Sequence, residues 1–172
     1  MTVSAIPIPP TRAPNLAYAA RASASGAAKV PTVPAHVLPH RTPAELLALA
    51  RLGLAEAAQT SADGLRYATA HLAALRAAAA VLAARARPEP TTRRSRVTSV
   101  WHLLSAVAPE LAEWAAYFAA GATKRAAAEA GIARAVSARE ADDLSRAATQ
   151  FVDVVAGALD LAYQPTIEGL AS

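Results

Sequence analysis

Arg66 and His71 are a pair whose residue types and spacing could do acid–base chemistry. They stand in Leu65–Leu82, an alanine- and leucine-rich stretch without Gly or Pro, and Arg76 follows in the same stretch. Cleaving RNA without a metal takes one group that moves the 2′-hydroxyl proton and a cation that stabilises the charged phosphorane. Imidazole and guanidinium fill those two roles. On this reading His71 is the acid/base, and Arg66 and Arg76 are phosphate ligands. A second string, Arg96-x5-His102, makes His102 a secondary candidate. At about 100° per residue, positions five apart on a straight helix lie roughly 140° apart. Arg66 and His71 therefore diverge within one chain and converge best across a two-fold dimer. The competing reading is structural: His71 is a satisfied polar group inside a helical domain, and Arg76 pairs with an acid such as Glu110 or Asp143.

The elements that must position these residues all read as helices. Leu65, Leu72, Leu75 and Leu82 share one side of the central stretch. Before it, Thr42-Pro-Ala-Glu45 has the form of a capping box and opens a helix to about Ala58. Ser61–Gly64 is a turn, with Asp63 or Ser61 as the cap of the second helix, which ends near Arg87, before Pro88. A short helix follows Thr98 or Ser99. Pro109 then restarts the chain into a helix carrying Leu111, Trp114, Ala115 and Phe118 on one side, with a stop at Gly131. Ser137-Ala-Arg-Glu140 is a second capping box, opening a last helix with Leu144, Phe151, Val155 and Leu159. Trp101 and Trp114 read as core anchors. The expected fold is all-α: an up-and-down four-helix bundle with one extra short helix. Residues 1–41 hold seven prolines and are expected to be a disordered tail. The bundle takes 42–163, and 164–172 are a frayed end. No secretory signal is legible, and no run looks long enough to cross a membrane.

Charge is unevenly placed. Residues 1–41 carry Arg12, Arg21, Lys29 and Arg41 and no acid, while 42–172 hold 13 bases and 13 acids. Within the second part, 85–96 hold five arginines against Glu89. This makes Arg93, Arg94 and Arg96 candidate RNA or phosphate contacts. The acids Glu140, Asp142 and Asp143 open a helix and suit its dipole without any metal. With no cysteine, disulfides and thiolate metal sites are excluded, and a cytoplasmic location fits. There is no phosphate-binding Gly-rich loop, no zinc-ligand spacing and no H-E-x-x-H, so neither a metal nor another cofactor is expected.

Several blocks carry a resemblance. These are Arg66-Tyr-x-x-Ala-His-Leu-Ala-Ala-Leu-Arg-Ala-Ala-Ala-Ala-Val-Leu82, Ser99-Val-Trp-x-Leu-Leu, Ala108-Pro-Glu-Leu-Ala-Glu-Trp-Ala-Ala-x-Phe-Ala-Ala-Gly121 and Ala138-Arg-Glu-Ala-Asp-Asp-Leu144. Together they resemble the alanine-rich, actinobacterial SAV-type branch of the HEPN domains over about 42–160. The resemblance implies an up-and-down bundle of four main helices, often dimeric, associated with RNA. Many such domains are metal-independent endoribonucleases with an R-x(4–6)-H motif, usually late in the bundle, and others are nucleotide-binding or non-catalytic modules. Here the last helix has no histidine, and Tyr67 follows the motif arginine. Two readings follow. One is a domain that binds RNA or a nucleotide and uses Arg66 and His71 if it cuts. The other is a non-catalytic helical module that dimerises or docks on a protein partner. No membrane partner is expected.

Overall fold

Both capping boxes form. In the computed structural model, which describes residues 31–35, 38–89 and 99–161, helix α1 spans Pro43–Gln59 and α5 spans Ala138–Ala158. Thr42 Oγ1 accepts from the Glu45 amide at 3.2 Å, and the Thr42 amide donates back to the Glu45 carboxylate at 2.8 Å. Ser137 and Glu140 repeat the exchange at 3.3 and 2.9 Å. Each box satisfies amide groups that a helix start leaves without partners. Helix α2 spans Asp63–Arg85, α3 Val100–Val107 and α4 Ala112–Glu129, with a single 3-10 turn at Pro109–Leu111 between the last two. Ser99, not Thr98, caps α3. The start of α2 has no side-chain cap: Ala62 is the cap residue and Asp63 turns to Arg66 instead.

The architecture is the all-α bundle expected, with α2 at its centre. Packed against α1, α3, α4 and α5, α2 buries Ala70, Ala74, Ala77 and Ala78 completely. Alanine contributes little area but lets helix axes come close, and the larger side chains of the neighbours then fill the space. Those neighbours include Leu47 on α1, Leu104 on α3, Phe118 on α4 and Phe151 on α5. Trp101 and Trp114 join this core as expected: Trp101 stacks on Phe118 at 5.2 Å between ring centroids, and Trp114 lies 5.6 Å from Phe151. By length and apolar composition alone α2 would suffice to cross a membrane, contrary to the sequence reading. Most of that helix is instead buried inside the bundle.

One feature departs from the expected boundary at residue 42. Thr32–Pro34 forms a strand, β1, that pairs in parallel with β2, Arg87–Glu89, with Thr32 opposite Arg87. Val33 is buried against Leu82, Leu103 and Val107 in a small second core. A proline-rich stretch gave no period-2 signal, because the strand is three residues long and holds one apolar anchor. The same pairing ends α2 at Arg85, two residues earlier than expected.

Candidate functional site

His71 is 1% exposed. It sits where α2, α3 and α4 meet, edge-on to Trp101 at 5.6 Å and to Phe118 at 6.0 Å, with Tyr67 stacked on it at 6.5 Å. Its Nε2 lies 2.8 Å from the Phe118 carbonyl oxygen. A carbonyl only accepts, so Nε2 carries the proton and the ring is the neutral Nε2–H tautomer. Nδ1 is then a buried lone pair, and it has no partner. Burial presses the pKa of His71 below its ordinary value, against the opposing pull of the Phe118 carbonyl. Tyr67 beside it is pushed up to about 12, chiefly by burial, so its hydroxyl stays neutral.

Arg66 lies elsewhere, at the start of α2. Its guanidinium reaches Asp63 at 2.8 Å and Asp142 at 3.1 Å, and donates to the carbonyls of Thr60 and Ser61. The group ties the α1–α2 turn to the first turn of α5. Arg76 reaches α1, donating from Nη1 to the Leu49 carbonyl at 3.2 Å. The acids expected as its partners are engaged otherwise: Glu110 pairs with Arg85, and Asp143 with Arg146. The three α2 residues are thus not brought into one cleft. His102 is exposed on α3, one residue from the inward-facing Trp101. Arg93, Arg94 and Arg96 lie outside the described residues.

Two glycines account for the unexpected carbonyl partners. Arg76 bonds Leu49 O one turn before Gly53, and His71 bonds Phe118 O one turn before Gly121. In a helix, the side chains of the following turn shield a residue's carbonyl oxygen, and glycine leaves it open. A Cβ built on Gly53 would stand 3.3 Å from Arg76 Nη1. One on Gly121 would stand 2.6 Å from Tyr67 Oη and 3.5 Å from His71 Cδ2. Two glycines inside otherwise helical patterns were the available sequence signal. The sequence reading also passed over a groove of about 720 Å³ between α1 and α5. Leu54 and Ala58 form one wall, Ser145, Arg146 and Thr149 the other, and Arg66 borders it.

Among known proteins, a family model described as SAV_6107-like HEPN matches residues 57–156. That span takes in α2, α3 and α4 whole and nearly all of α5. No curated protein and no solved structure matches.

Proposed function

Because this chain belongs to the SAV_6107-like HEPN family, we propose that it is an RNA-binding module that holds its ligand at an arginine-rich pole and does not cut it with His71. The observation that carries this reading is the pairing of β1 with β2. It joins two base-rich parts of the sequence, 1–41 and 85–96. Outside those parts the chain has eight bases against twelve acids. The cations in excess thus belong to the segments that meet at this strand pair, where Arg87 is exposed. Such a concentration of arginine favours a phosphate backbone by releasing counterions, whatever the base sequence.

Two further facts weigh against the motif on α2 as a cutting site. His71 has no exposed surface from which to reach a 2′-hydroxyl, and its proton-bearing nitrogen is committed to a backbone carbonyl. Arg66 is neutralised by two aspartates.

The test is the salt dependence of single-stranded RNA binding by the full chain. Affinity should fall steeply with salt. Replacing Arg93, Arg94 and Arg96 together by Ala should lower the log–log slope by about 2, at roughly 0.7 per lost phosphate contact. Unchanged binding in that variant would remove the pole from the account. Absence of RNA binding in the parent would leave docking on a protein partner as the module's role.

A further inference from the structure

We propose that His71 is an acid-sensitive latch: while neutral it holds the short helix α3 against α2 and α4 through Trp101, and protonation releases that helix. The inference is independent of the RNA reading and rests on the cage around the ring. On α2 the neighbour is Tyr67, whose hydroxyl stays neutral. On α3 it is the Trp101 indole, and on α4 the Phe118 ring and carbonyl. Two charged groups act on the imidazole, Arg125 and Glu129, both on α4 and of opposite sign. They also lie in one i, i+4 pair, separated by 3.7 Å. No carboxylate bonds the ring among the described residues: its one partner is Phe118 O, and Nδ1 has none.

Protonation adds an N–H at Nδ1, a donor where the cage offers no acceptor. A buried charge of this kind is relieved either by losing the proton or by opening the cage. Rotation of the ring does not solve the problem. It would give up the bond to Phe118, and the ring edge already lies close to the Gly121 position. The shortest of the three walls is α3, an eight-residue helix that starts after its cap Ser99 and runs into the 3-10 turn. Helix α2 runs 23 residues and α4 18, whereas the eight-residue α3 is held through Trp101, Leu103, Leu104 and Val107. Trp101 is the side chain it sets against the imidazole.

Linkage fixes the direction. The pKa of His71 is lowered in the packed state. The packed state therefore binds fewer protons than the open one below the free-histidine value of about 6.5. Packing is fully favoured above that value and weakens as the pH falls through it.

The experiment uses the full chain with Trp114→Phe, which leaves Trp101 as the one tryptophan. Acrylamide quenching of Trp101 and far-UV circular dichroism are followed from neutral pH to about pH 5, above the range where carboxylates titrate. A severalfold rise in quenching with helix content retained is expected. In His71→Gln, whose amide can still donate to the Phe118 carbonyl but has no proton to gain, the response should be flat. A second readout needs no substitution at the latch: the NMR titration of the His71 ring should coincide with the exposure of Trp101. Three results would overturn the latch. One is the same acid response in His71→Gln. Another is a ring that titrates while Trp101 stays packed, and the third is loss of helix in step with quenching.

Discussion

At the scale of single residues, the polar groups on α2 act as ties between helices. Arg66 holds five partners across the α1–α2 turn and the start of α5. It is partly buried, so its removal leaves carbonyls and carboxylates without a donor. Arg66→Ala should cost about 1–3 kcal/mol in chemical denaturation, and Arg66→Lys should recover little, because an ammonium cannot fork to several acceptors. His71→Ala should cost about 2–4 kcal/mol, from a core cavity and an unpaired Phe118 carbonyl. RNA affinity at a temperature where the variant stays folded should be unchanged. The ambiguity of these residues was legible in the sequence, since a histidine and an arginine beside a leucine stripe read as site or as core, with the structural role the favoured one. Their actual partners were not legible. Backbone carbonyls are present at every residue, and only helix packing decides which are uncovered.

At the scale of elements, the close approach of α4 to α2 depends on Gly121. Alanine there gains about 1 kcal/mol in helix propensity, but its Cβ would collide with the Tyr67 hydroxyl at 2.6 Å. Tyr67 is held by His71 and by burial, so overpacking of about 1–3 kcal/mol should outweigh the gain. Gly121→Ala should therefore lower the denaturation midpoint. In a Tyr67→Phe background, where the colliding oxygen is gone, the same change should be neutral or stabilising, and a double-mutant cycle would read the difference. The capping boxes make a simpler case: Thr42→Ala and Ser137→Ala should each cost about 1 kcal/mol. Helix starts were readable because a cap is a local device, with Thr42 and Glu45 in one turn of chain. Strand β1 was not readable, because Thr32–Pro34 exists only through a partner more than fifty residues away.

At the scale of the whole molecule, the bundle proper is net acidic and the excess base is confined to 1–41 and 85–96. The bundle could be read from apolar periodicity and the two capping boxes, and the family from the resemblance that blocks such as Ala108–Gly121 carry. The site could not be read with the same certainty. The Arg66/His71 spacing pointed to α2, yet His71 is buried among aromatic rings and Arg66 is engaged by Asp63 and Asp142. The surplus charge belongs to the two sequence segments that contain β1 and β2. The measurement that tests this account most directly follows binding and chain cleavage together, for a mixed single-stranded RNA pool in EDTA, with the parent chain and His71→Gln side by side. Salt-dependent binding by both proteins, with no cleavage by either, is the expected result. Cleavage by the parent that His71→Gln abolishes while retaining its fold would contradict it, and would return the reaction to α2.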